Sequence, residues 1–348
     1  SLLLFPFDAM KLLPRLLSLD IHRLLAGSAL VQLGGLVAAT MLGVQLARYL
    51  GPANYGIYGL ILSIVSILTV VAQFGLPLFA IKEVASASSS NAHADLRNVI
   101  GWFVLHSVAA ASVTLALGLM ATFLWSPEML RAKADLVFLA GGTVFAFSLL
   151  AVAISIIRSA GLNLQGQAVD ALAKPILISA VVFAVEGGTA GLTVRLALGA
   201  QLAASILCLG YCALAIWVIA KRQPATPPTT QSMTQRRYAP DRWLMVSSTF
   251  LSTSLLLAFN GNYPLLVAGL FVAPVDLGIF RVALSSALLL SLPCSIANIG
   301  TGPLVAKLHE ERRFDELADN LARTTVLMFF LTLAGLLLLA AFGRLFLS

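Results

Sequence analysis

Arg48, Arg195 and Arg281 are the side chains in this sequence best suited to chemistry with an anion. A guanidinium holds phosphate oxygens through a planar fork of N–H donors and keeps its charge when partly desolvated. Each of the three stands at the end of a long apolar run, so a second reading stays open, in which they only reach out to lipid headgroups. Gln73 and Asn260, like Gln32, Gln45 and Gln201, carry amides inside or beside apolar runs, able to meet sugar hydroxyls or to bond one helix to another. His106 reads as a hydrogen-bonded interior histidine rather than a proton carrier. Cys208, Cys212 and Cys294 all lie in apolar runs and read as packing residues, not as a disulfide or metal set. No His–Asp pair, paired carboxylates or long loop offers general acid–base chemistry, so neither enzyme, metal nor cofactor is expected.

These residues must be positioned by helices in a membrane. Of the 348 residues, 59% are hydrophobic and 11% charged, with a mean hydropathy of +0.95, whereas a soluble globule carries about a quarter charged residues. Apolar runs long enough for roughly 30 Å of hydrocarbon recur along the chain. Nine transmembrane helices are predicted: 24–47, 57–79, 100–124, 135–157, 173–189, 194–220, 243–270, 279–300 and 324–347. The fifth starts at Lys174-Pro175, since proline suits a first helical turn. With the N-terminus inside, sixteen of the 22 Lys and Arg residues fall on the inner side, Lys174 and Arg158 among them. That bias fits an inner, cytoplasmic N-terminus. It also accounts for the net charge of +7 without nucleic acid.

A repeat organises the helices. Pro52, Asn54, Gly56, Ile57 and Tyr58 match Pro274, Asp276, Gly278, Ile279 and Phe280 at a constant offset of 222 residues. Pro77-Leu78-Phe79-Ala80 is echoed by Pro303-Leu304-Val305-Ala306 at an offset of 226. Proline, then Asn or Asp, then glycine makes a tight connection between helices. Both copies fall on the outer side, so the repeats are parallel and imply two lobes about an axis along the membrane normal. The expected organisation is an amphipathic segment (1–23), a first six-helix lobe (24–220), a cytoplasmic linker rich in Pro, Thr and Gln (221–241) and a second lobe (242–348) holding three helices, hence incomplete. Residues 309–323 read as a charged helix along the inner membrane face.

The run Ala47-Arg48-Tyr49-Leu50-Gly51-Pro52-Ala53-Asn54-Tyr55-Gly56-Ile57-Tyr58, followed by Gln73-Phe74-Gly75-Leu76, resembles the polysaccharide biosynthesis and O-antigen flippase family of the multidrug/oligosaccharidyl-lipid/polysaccharide exporter superfamily. Ile157-Arg158-Ser159-Ala160-Gly161-Leu162 and Val275-Asp276-Leu277-Gly278-Ile279-Phe280-Arg281 are similar to its connections between helices 4 and 5 and between 7 and 8. The resemblance implies an all-α, two-lobed exporter of the cytoplasmic membrane that moves a polyprenyl-diphosphate-linked glycan between leaflets by alternating access. Its partners would be the lipid-linked oligosaccharide, membrane lipids, and glycosyltransferases and a polymerase of the same pathway. Arg48, Arg281, Arg195, Gln73 and Asn260 are then the candidates to touch substrate. A multidrug antiporter of the same superfamily would need carboxylates in mid-membrane, and the sequence reading places Glu83, Asp135, Asp170, Glu186 and Asp276 at span ends. A membrane-embedded glycan ligase or polymerase is the rival from another class.

Overall fold

Gly51 and Pro52 bend the first long helix. In the computed structural model, which describes residues 19–89, 93–125, 134–186, 191–222, 240–289 and 313–347, α1 (Leu19–Gln73) is helical throughout except at Gly51, with φ 69° and ψ 166°. Only glycine adopts that backbone readily, and Pro52 then restarts the helix with its ring at a first-turn position. The carbonyl of Leu50, left over by the bend, accepts from the Asn54 side-chain amide at 3.2 Å. The predicted connection is thus reduced to one residue, with the asparagine of the repeat motif satisfying its backbone. A second bend at Phe74 and Gly75, both at positive φ, separates α1 from α2 (Leu76–Ser89).

The remaining elements are α3 (His93–Trp125), α4 (Ala134–Ser159), α5, α6 (Val194–Arg222), α7 (Pro240–Phe271), α8 (Pro274–Leu289) and α9 (Phe314–Leu347). Helix α5 runs without a break through Asn163–Ala168, a π turn at Val169–Ala173, and Lys174–Glu186. Every described element is helical, and among the described residues seven stretches are long and apolar enough to cross a membrane. The first of these, Leu30–Gln73, is 44 residues long and bent at Gly51, about two crossings at 1.5 Å per residue. The protein is a multi-pass helical membrane protein. Most of the N-terminal segment, the linker, the Pro303–Ala306 echo, Cys294 and the start of the 309–323 segment lie outside the described residues.

The chain forms two compact units, Gly34–Val282 and, separately, Ser1–Leu33 with Ala283–Ser348. In the first, α4 is the central post, with Thr143, Val144, Ala146, Ser148 and most of Leu150–Ile157 buried. Its hydroxyls bond back to its own carbonyls, Thr143 to Leu139 at 2.7 Å and Ser155 to Ala151 at 2.9 Å, so these polar groups are satisfied within the helix. Small residues let neighbours approach, as packing within lipid requires: Leu115 of α3 lies against Gly141 and Leu202 of α6 against Gly142. The second limb of α1 lies antiparallel to α7. Gly75 faces Ser247 and Leu251, the Asn262 amide donates to Ser66 Oγ at 3.2 Å, and Leu60 faces Gly269. In the other unit, α9 presents Leu327, Phe329, Phe330 and Leu337 as exposed apolar residues, and Arg313 pairs with Glu316 at its first turn.

Candidate functional site

The two copies of the repeat motif meet each other. A Cβ on Gly56 would lie 2.3 Å from the Pro274 carbonyl oxygen, and one on Gly278 would lie 2.0 Å from the Pro52 carbonyl oxygen. Gly56 corresponds to Gly278 and Pro52 to Pro274, so the contact is reciprocal, the pattern that a two-fold relation produces. Only hydrogen at both Cα positions permits this backbone approach.

Arg281 rises from this junction. Its guanidinium carbon lies 4.7 Å from the Tyr55 ring centroid and 5.1 Å from that of Tyr58, and its side chain runs over Gly59, where a Cβ would meet it at 2.2 Å. The π faces of the two rings hold the cation electrostatically. Tyr55 and Tyr58 are buried among Leu46, Leu50, Ile178 and Leu198, and the Tyr58 hydroxyl donates a long hydrogen bond of 3.5 Å to Gln201 Oε1 on α6. The second repeat thus lays an arginine on the tyrosines of the first. The residue matching Tyr58 in the second copy is Phe280, which is exposed, so the aromatic seat belongs to one copy alone.

The other sequence candidates are set differently. Arg48 is exposed on α1, one turn before the Gly51 bend. Arg195 is exposed at the start of α6 and pairs with Asp135 at the start of α4, 2.8 Å away, with both side chains more than half exposed. Such a pair is worth at most about 1 kcal/mol. Gln73 is half-buried at the last residue of α1 and Asn260 is exposed on α7. Gln45 and Gln201 serve as interhelical acceptors, from Ser179 and Tyr58 respectively. His106 Nδ1 shares a hydrogen bond with the Trp102 carbonyl at 2.8 Å, and its ring stacks on Trp102 at 3.9 Å and meets Trp243 of α7 edge-on at 5.4 Å. Arg158 lies in the last turn of α4 and donates from Nε to Asn163 at 3.2 Å.

One sequence expectation needs correction. The fifth helix begins at Asn163, ten residues before its predicted start, so Lys174 and Asp170 lie within a stretch that runs to Val185 and not at the inner end of a span. By sequence alone, Lys174-Pro175 signals a helix start. The helix continues because the Lys174 N–H reaches back to the Val169 carbonyl in a π turn, which absorbs the bond that Pro175 cannot make. The Lys174 ammonium sits 3.5 Å from the Phe147 ring centroid on α4. Among the described residues no three metal-ligating side chains converge.

None of the curated proteins matches the chain. Among solved structures, it resembles the crystal structure of a MATE in complex with MaD3S, with a TM-score of 0.51 and 17% identity, over 92% of this chain and 74% of that one. That likeness concerns the fold. The sequence family described as polysaccharide biosynthesis protein matches residues 25–309. Those residues include the Gly51 bend, both repeat motifs, the tyrosine-seated Arg281 and the whole of α5, and the chain therefore belongs to the polysaccharide biosynthesis protein family.

Proposed function

We propose that the protein is a flippase of the cytoplasmic membrane, carrying a polyprenyl-diphosphate-linked oligosaccharide from the inner to the outer leaflet by alternating access. The family match over residues 25–309 carries this reading, and the exporter-like helical fold supports it. A sugar headgroup and a diphosphate cannot cross roughly 30 Å of hydrocarbon unaided. The protein's part is a polar path with cations for the diphosphate. Arg281, Arg48 and Arg195 are the candidate phosphate contacts, with Gln73 and Asn260 for sugar hydroxyls. Glycosyltransferases would supply the cargo and a polymerase would consume it at the outer face.

Translocation in proteoliposomes tests this. A short-chain polyprenyl-diphosphate oligosaccharide is incorporated into both leaflets of vesicles, and the fraction removed over time by an external, impermeant glycosidase is measured. Protected cargo should exchange into reach faster with the protein than without it. Exchange no faster than in protein-free vesicles refutes the flippase reading, and transport of an organic cation such as ethidium instead would reassign the chain to drug export. A glycan altered in mass would show an enzyme.

A further inference from the structure

Lys174 places a charge at the middle of a span. It is the central residue of the apolar stretch Asn163–Val185, with about 16 Å of helix on either side at 1.5 Å per residue. Phe147, whose ring centroid lies 3.5 Å from the ammonium, is itself at the middle of α4 (Ala134–Ser159). Two helices thus set the same ammonium at mid-depth. The backbone there is specialised. The π turn Val169–Ala173 immediately precedes the lysine, and such turns concentrate at functional sites. Helix α1 closes on the turn through Gly34 and Gly35: a Cβ on Gly35 would lie 2.6 Å from the Ala171 carbonyl oxygen, within that turn.

An ammonium in mid-membrane is costly unless an anion or a wet passage offsets it. Lys174 forms no salt bridge with a described carboxylate, and Asp170, an exposed residue one turn earlier, acts on it only through space. Packing alone has no need of the charge, since a methionine of similar length would fill the space beside Phe147. We propose that Lys174 is an anion-contact residue of the transport path, its ammonium taking a phosphate oxygen of the prenyl diphosphate as that group passes the middle of the membrane. Phe147 holds the ammonium in place between cargoes. The inference rests on the flippase reading and adds to it a residue and a depth.

The test is binding of farnesyl diphosphate to the full chain in detergent, followed by the ligand-dependent shift in melting temperature. Wild type should bind saturably. Lys174→Met should bind at least about tenfold more weakly, the loss of a charged hydrogen bond to phosphate, with Lys174→Arg within a few-fold of wild type. Equal binding by Lys174→Met overturns the proposal and leaves the flippase reading standing. No binding by wild type removes both. An equal, Lys174-dependent response to phosphatidylglycerol makes this a headgroup site and overturns the assignment to cargo. Lys174→Gln replaces the Met variant if that variant does not fold. Failure of both neutral variants to fold, with Lys174→Arg folding, assigns the charge to the fold and also overturns the proposal.

Discussion

Placing a methyl group at Gly278 tests the junction of the repeats most directly. The Cβ of Gly278→Ala would lie 2.0 Å from the Pro52 carbonyl oxygen, 2.8 Å from its carbonyl carbon and 3.1 Å from its Cα. All three are backbone atoms, so no rotamer change relieves the clash, and restoring contacts of about 3.5 Å requires the helices to part by roughly 1.5 Å. Overpacking of this kind costs about 1–3 kcal/mol, and the rigid backbone on both sides puts this site near the top of that range. At roughly 2–4 °C per kcal/mol, the melting midpoint in detergent should fall by about 6–12 °C. Gly210→Ala on α6 is the control, because a Cβ there meets nothing within 4 Å, and alanine in a helix should raise stability by about 0.5–1 kcal/mol. Gly56→Ala should behave as Gly278→Ala does. Since both methyl groups wedge the same contact, the double variant should lose less than the two losses combined, by at least about 0.5 kcal/mol. A Gly278→Ala midpoint equal to that of Gly210→Ala, or strict additivity of the pair, refutes the reciprocal contact.

Arg281→Met should lower the melting midpoint by the equivalent of about 0.5–2 kcal/mol through loss of the Tyr55 and Tyr58 contacts. Arg281→Lys and Arg48→Lys should slow glycan translocation in vesicles while insertion is unchanged, because lysine keeps the charge and loses the fork; full translocation by both would assign these arginines to anchoring. For orientation, a cysteine at Ala53 should react with an impermeant reagent on intact cells and one at Thr229 should not. The reverse result would invert the topology.

Much of this protein was open to reading from residue order alone. Hydrophobic length forces helices, because a backbone in hydrocarbon must bond within its own segment, and α3, α4, α6 and α7 fall close to the predicted spans. The Pro, Asn or Asp, Gly spacing marked the repeat and the bend, since it rests on local backbone chemistry at Gly51, Pro52 and Asn54. His106 reads from sequence as a hydrogen-bonded interior histidine, although its packing against Trp102 and Trp243 joins helices from either side of the linker, with Trp243 137 residues further along the chain.

Tertiary contact decided the rest. That Gly56 and Gly278 meet, and meet reciprocally, depends on how two distant segments pack, which periodicity does not encode. Arg48 and Arg281 look alike as span-end cations, yet one is exposed and the other lies on two tyrosine rings, because Tyr55 and Tyr58 turn one face of α1 toward the start of α8. Lys174 departs from the sequence expectation for a local reason with a distant remedy. Proline after lysine signals a helix start when only neighbours are weighed, but a π turn bridges the missing donor, Gly34 and Gly35 of α1 admit the turn, and Phe147 of α4 receives the ammonium. Composition and spacing determined that the chain is a repeated set of membrane helices. Which polar side chains those helices bury, and against what, was determined by packing between segments far apart in sequence.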